Sequence, residues 1–431
     1  MKVYFYLDNI NLKNIDFSRP ECGNPGIGGT PFMIWSVSCY LQRLYENIDV
    51  TILAPVTDNM PKDISTIRCN SLSEAIYVAK ENKADIFIFR GPINDSKIFK
   101  LIDQLQLKSI MWSHNFEGIE CLEYATSCQY LKRNICVSQE QLDRIRDHEI
   151  FSKSTFIHNC INVDDYCRRA EKKENIVCYL GSIDETKGFH KVAEVWKDIL
   201  KYVPDAKLFV IGNAKLYNTE NKLGKYQIAE ESYEQKFIDY LLDENKNLLK
   251  SVNFCGRLGE KEKINIMNRA KVGVVNPTGV GETFCISAIE FQALRIPVVS
   301  SNSNGLLETV LNKKTGILVN NNKALRKSIV ELLLNEEKNK RLGRKGEEFV
   351  KESFNIDLIC KKWIRVIDDV YNDIVQKENI STKNYFSNFK WLRELNRIFK
   401  KSLHLHKLPS ILEYRVRIIK LFKSSYSLIK K

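Results

Sequence analysis

Twelve cysteines include no Cys-x-x-Cys pair and no cysteine–histidine cluster at zinc-ligand spacing, which argues against a metal site and for reduced thiols in a cytosol. The opening residues show no charged segment followed by an apolar core and a cleavage site. They start on Lys2-Val3-Tyr4-Phe5-Tyr6-Leu7, a strand pattern, so the expected protein is not exported. Long hydrophobic runs are also missing. The longest uncharged stretch, Cys22 to Gln42, is broken by Gly and Pro, and its apolar core from Phe32 to Leu41 suits a buried helix better than a membrane span. No internal repeat or low-complexity tract is found. The remainder is globular in character: 431 residues with 44% hydrophobic content suffice for two or three domains, each with its own core.

Strand-like runs alternate with amphipathic segments twice over, which predicts two α/β units. The first has candidate strands at Val3 to Leu7, Val50 to Ala54, Ile86 to Phe89, Ser109 to Ser113 and Ile135 to Ser138. In the second they are Ile176 to Leu180, Leu208 to Ile211, Val252 to Cys255, Val272 to Val275, Val298 to Ser300 and Ile317 to Val319. The charged stretch Asp164 to Asn175 reads as the linker, and a helical pattern runs from about Leu358 to Val375.

The segment from Gly279 to Glu290 combines a glycine turn, two carboxylates and a helix start. Phe284 to Leu294 has helical apolar spacing, so the N–H groups of Thr283, Phe284 and Cys285 are expected at a helix N-terminus, where an anion is welcome. Glu282 and Glu290 come out roughly 12 Å apart along the axis. A glycosidase pair sits at roughly 5–9.5 Å. The wider spacing suits carboxylates that each grip hydroxyls on opposite sides of a diphosphate, although either one taken alone reads more readily as a solvated loop residue (Glu282) or an ordinary helix carboxylate (Glu290).

The Glu-x7-Glu pattern after Pro277-Thr278 resembles the signature of retaining glycosyltransferase family 4. The similarity continues through Ala293, Ile296-Pro297-Val298-Val299-Ser300, Asn304-Gly305 with Glu308, and Thr315-Gly316-Ile317-Leu318-Val319. The resemblance implies an α/β GT-B architecture of two facing Rossmann-like domains. It divides the chain into an acceptor-side domain 1–166, a nucleotide-sugar domain 167–357, a crossover helix 358–378 and a basic amphipathic tail 379–431. It further implies Glu290 on the ribose, Glu282 beside the sugar, and the backbone of Thr283, Phe284 and Cys285 on sugar and phosphate. Gly28 and Gly29 resemble the family's Gly-Gly loop near the donor diphosphate, and a merely structural turn is the alternative. Gly181-Ser182-Ile183-Asp184-Glu185-Thr186-Lys187-Gly188 resembles the family's phosphate-binding loop, with Lys187 as its lysine. Ser182 departs from the usual arginine, so either another cation such as Arg257 substitutes for it or phosphate binding is weaker here, with Arg257 a solvated surface residue. His114 matches a sugar-touching histidine, the alternative being a structural hydrogen bonder. Ile157 to Asn162 resembles an interdomain segment, with Cys160 and Asn162 as departures.

Net charge is +13, of which residues 380–431 contribute +11. The core is nearly neutral and the basicity is local. From Tyr385 to Leu403, Tyr385, Phe389, Trp391, Leu392, Leu395, Phe399 and Leu403 share one helical face, opposite Lys390, Arg393, Arg397, Lys400 and Lys401. That pattern suits docking on an anionic membrane, packing on the first domain, or solubilisation. The expected function is a retaining, metal-independent glycosyltransferase without a cofactor, using a nucleotide-diphosphate sugar donor and a glycan or lipid-linked hydroxyl acceptor. Cell-surface polysaccharide synthesis, as of capsule or lipopolysaccharide, in the cytoplasm or on the inner face of the cell membrane, is the leading context. The alternatives are a sugar-nucleotide epimerase or hydrolase of the same fold, or a non-catalytic membrane- or nucleic-acid-docking protein; nucleic acid is not the expected partner.

Overall fold

The computed structural model describes residues 1–166, 174–213, 222–403, 405 and 408–419. In the first domain, seven parallel strands form one sheet: β1 (Lys2–Tyr6), β2 (Asp49–Ala54), β3 (Ser65–Arg68), β4 (Ile86–Gly91), β5 (Ser109–Ser113), β6 (Leu131–Cys136) and β7 (Ser154–Phe156), in the order β3-β2-β1-β4-β5-β6-β7. The second sheet contains β8 (Glu174–Leu180), β9 (Lys207–Ile211), β10 (Val252–Gly256), β11 (Ala270–Val274), β12 (Val298–Ser301) and β13 (Gly316–Val319), in the order β10-β9-β8-β11-β12-β13. Strand order reverses between β1 and β4 and again between β8 and β11. Loops leaving the two strands at such a point turn to opposite faces of the sheet and open a crevice.

The alternation in β1 shows why this layering forms. Val3, Phe5 and Leu7 enter one apolar cluster, which also holds Met33, Val37 and Leu41 of the helix Gly29–Leu44. Tyr4 and Tyr6 enter a second cluster on the opposite face, with Leu53, Phe87 and Phe89. A sheet buried on both faces needs apolar residues at nearly every position, and the parallel strands have them. Two strands were not foreseen. β3 is half-exposed Ser-Thr-Ile-Arg and β7 is three residues, so neither carries a sustained pattern. The run Ile135 to Ser138 is also displaced: β6 ends at Cys136, and Ser138 instead caps the next turn, its Oγ accepting from Gln141 N at 3.1 Å.

The two domains are tied by several segments. Ile161 N donates to Phe354 O at 3.1 Å and Ile356 N to Ile161 O at 3.0 Å, which starts the helix Ile356–Tyr371 beside the first domain. Its Trp363 is fully buried, packing edge-on to Trp112 at 4.5 Å and against Phe5 at 6.4 Å. Most of the expected linker, residues 167–173, lies outside the described residues.

The tail helix Lys390–Ser402 has its cations turned inward. Lys390 Nζ lies 2.6 Å from Glu140 and 3.0 Å from Asp143, Arg393 lies 3.3 Å from Asp147, and Lys400 Nζ donates to Asp147 O at 2.7 Å. The expected arrangement, a cationic face offered to a membrane, is therefore reversed for this helix. Acidic side chains in the turns after β6 neutralise those charges, and the apolar stripe faces solvent. The basic positions Lys420, Lys423, Lys430 and Lys431, and His404 and His406, lie outside the described residues.

Candidate active-site cleft

The loops after β1, β8, β9, β10 and β11 converge on one cleft of about 180 Å³ between the domains. Two helix N-termini meet there. Gly28 precedes the helix Gly29–Leu44, and Cys285 precedes the helix Ile286–Ala293; Gly28, Gly29, Cys285, Ile286 and Ser287 all line the cleft. Both helix starts direct N–H groups and the positive end of a dipole toward this space, a setting made for an anion. The helix begins at Ile286, two residues later than its apolar spacing predicts, because Cys285 keeps an extended backbone at φ −92°, ψ 94°, after a turn in which Gly279 and Gly281 both sit at φ +66°. Gly26 is held at φ +84° so close to the second domain that a Cβ there would lie 2.8 Å from Leu258 O. Only glycine fits that approach.

The two carboxylates are held differently. Glu282 Oε2 accepts from Lys187 Nζ at 2.9 Å and from Asn276 Nδ2 at 2.8 Å. Glu290 Oε1 accepts from Lys263 Nζ at 2.6 Å and from Tyr166 Oη at 2.9 Å. Lys263 also pairs with Glu260 Oε2 at 2.6 Å, and that oxygen accepts Asn24 N from the first domain's glycine loop at 3.2 Å. Burial opposes the Lys263 charge, but the Glu260 and Glu290 carboxylates outweigh it and hold the ammonium above its ordinary value. Burial likewise pushes the Glu260 carboxyl up, with Lys263 pulling against it.

Lys187, Ser182, Arg257, Phe284, Glu282 and Glu290 all line the cleft. Ser182 is occupied with the backbone, its Oγ donating to Asn213 O at 3.4 Å. Arg257 makes no hydrogen bond or ion pair among the described residues, and burial depresses its basicity. Two expected site residues stand apart. Thr283 is outside the lining, and its hydroxyl donates to His114 O at 2.5 Å, stitching the domains together. His114 is also outside the lining and only 5% exposed; its N–H continues the sheet to Gly91 O at 3.2 Å, and its ring packs against Trp112 at 4.6 Å. Burial, with Arg90 adding, drives the imidazole down to about 3, so it is neutral at ordinary pH. A strand-end position alone did not disclose which way the ring turns. Sequence reasoning also missed Asn276, Glu260, Lys263 and Tyr166. The i, i+3 spacing of Glu260 and Lys263 was the available signal, but such pairs are common on solvated helices.

Residues 168–349 match the family model described as "Glycosyl transferases group 1". A capsular polysaccharide biosynthesis glycosyltransferase, CapM of Staphylococcus aureus, is 30% identical over 207 residues, 47% of each chain. An uncharacterized glycosyltransferase of Methanocaldococcus jannaschii is 26% identical over 246 residues, 57% of this chain and 61% of its own. The chain thus aligns with about half the length of the curated relatives it matches. Among solved structures, sucrose-phosphate synthase from Thermosynechococcus elongatus superposes with a TM-score of 0.64 at 17% identity, covering 86% of this chain and 100% of the other. HepE of Anabaena, solved with UDP, gives a TM-score of 0.60 at 14% identity, covering 86% and 100%. The architecture is GT-B, and its second domain is the part of the chain that matches the glycosyl transferases group 1.

Proposed function

We propose that the protein is a retaining glycosyltransferase of family 4 that moves a sugar from a nucleotide-diphosphate donor to a hydroxyl acceptor in cell-surface polysaccharide synthesis, at the cytoplasmic side of the cell. One observation carries this reading. A carboxylate fixed by Lys263 and Tyr166 and a second fixed by Lys187 and Asn276 flank two converging helix N-termini in one interdomain cleft. Glu290 takes the ribose hydroxyls, the helix starts and Lys187 take the diphosphate, and Glu282 orients the sugar. Arg257 supplies the charge that Ser182 lacks. The departing diphosphate accepts the acceptor's proton on the face it leaves, so no side-chain nucleophile is needed, and preorganised positive charge does most of the work without a metal ion. The HepE structures with UDP and with UDP-glucose, and the capsular assignment of the S. aureus relative, support the donor class and the pathway.

The test is incubation with radiolabelled nucleotide sugars and a glycan or lipid-linked acceptor, with and without EDTA. The expected result is label on the acceptor with the anomeric configuration of the donor, unaffected by EDTA. Label released only as free sugar favours the hydrolase or epimerase alternative, an inverted product overturns the retaining assignment, and EDTA sensitivity overturns the metal-free step.

A further inference from the structure

We propose that the tail helix Lys390–Ser402 seats the protein on an anionic lipid bilayer through its apolar face, while Lys390, Arg393 and Lys400 fasten it to the first domain. Amphipathic surface helices ordinarily bury the apolar stripe and solvate the charged one. This helix does the opposite. Lys390, Arg393 and Lys400 are buried against Glu140, Asp143 and Asp147, and Arg397 and Lys401 pair with Glu378 at 2.9 and 2.6 Å. Outward stand Trp391, Leu395, Ile398, Phe399 at 55% exposure and Leu403 at 58%, preceded by Phe386 at 84% and Phe389 at 63%. A contiguous exposed patch of aromatic and aliphatic side chains marks a surface that something covers.

The net charge of the tail, +11 over residues 380–431, identifies the occupant. Arg415 and Arg417 are exposed on the following helical segment, 411–419, together with Ile418 and Ile419, and residues 420–431 contain four Lys and no Asp or Glu. An exposed apolar face on a strongly cationic tail matches the boundary between anionic headgroups and acyl chains. A second copy of the chain on this face would instead bring two cationic segments together. Among the described residues no helix is long and apolar enough to cross a membrane, so attachment here is interfacial.

The position of the helix has a consequence. It packs on the turns after β6, at the carboxyl end of the first sheet, and Asn388 Nδ2 just before it reaches Asn304 Oδ1 of the second domain at 3.4 Å. Docking therefore holds the cleft side of the first domain near the bilayer, where a lipid-linked acceptor lies; this consequence rests on the proposed function, whereas the docking itself does not.

Trp391 offers a direct readout, because the other four tryptophans, Trp35, Trp112, Trp196 and Trp363, are at most 1% exposed. The full-length protein is mixed with phosphatidylcholine vesicles containing phosphatidylglycerol, with and without brominated acyl chains, and emission is read alongside co-sedimentation. Binding with quenching by the brominated chains is expected, and Trp391→Phe keeps the binding while abolishing the quenching. The double variant Leu395→Ser/Phe399→Ser, altered only on the outward face, keeps its melting temperature and binds these vesicles about tenfold more weakly. Binding without quenching, or undiminished binding by the double variant, overturns the proposal. A concentration-dependent dimer without lipid, lost in the double variant, would assign the face to a second copy instead. Sugar transfer to a soluble acceptor is measured separately, so a failure of docking and a failure of the catalytic reading are told apart.

Discussion

Glu290 and Glu282 both line the cleft, and the proposed function gives them different work. A group that binds donor hydroxyls before and during the reaction contributes equally to ground and transition states. Glu290→Ala is therefore expected to weaken nucleoside diphosphate binding in calorimetry, while Glu282→Ala lowers turnover and leaves that binding nearly intact. In the proposed reaction Lys187 faces charge that grows only as the diphosphate departs, so Lys187→Ala is expected to lower kcat by about 100-fold. Near-normal turnover would move the role to Arg257 or the backbone donors. Asp165, between the domains, gives a pH signature. Burial, then the charges of Glu260 and Asp164, raise its carboxyl to about 7, with the Asn162 amide partly offsetting them. Its ordinary value is about 4. The folded chain holds the proton more tightly, so this residue costs stability progressively as pH rises from about 4 through about 7. Asp165→Asn should flatten that slope and raise stability at pH 8 by on the order of 1 kcal/mol once solvent screening is allowed for, read as a higher melting temperature. An unchanged pH profile of melting would refute the shift.

At the scale of elements, sequence patterns marked the buried strands well and the helix starts less well. β5 was read to the residue, Ser109–Ser113, because five buried residues interrupt polar flanks. The helix start at Ile286 was misplaced because apolar spacing does not encode the extended backbone of Cys285. For the helix Ile356–Tyr371 the pattern located the element, and only packing showed that Trp363 fills the space between Trp112 and Phe5. Trp363→Ala removes a fully buried ring and is expected to cost about 3–5 kcal/mol, read as a fall in the denaturant midpoint. If the midpoint hardly moves, this helix is not part of the cooperative core.

The whole molecule depends on how the domains are held together. Glu308 of the second domain accepts Gln139 N at 3.0 Å and Glu140 N at 2.5 Å in the first, and lies 2.8 Å from His158 Nε2. These contacts clamp the second domain onto a helical turn that also anchors the tail through Glu140. Glu308→Ala is expected to open the cleft, seen as a larger radius of gyration in solution scattering and a raised donor KM, with each domain still folded. Unaltered scattering would assign domain closure to the Ser138 and Thr283 contacts.

Local sequence was enough for the two α/β units and for the loops that carry the cleft, since strand periodicity and glycine turns are properties of neighbouring residues. It was also enough to single out Glu282 and Glu290, and the family resemblance added Lys187; all three line that cleft. Three matters were decided only by residues far apart in the chain. His114 was closed in where the Thr283 hydroxyl, 169 positions further on, bonds its carbonyl, Lys263 was drawn to Glu290 across 27 positions, and the tail helix met Glu140, Asp143 and Asp147 with Lys390, Arg393 and Lys400. A helical pattern fixes which residues share a face; the charge and shape of the surface it meets decide which face is buried.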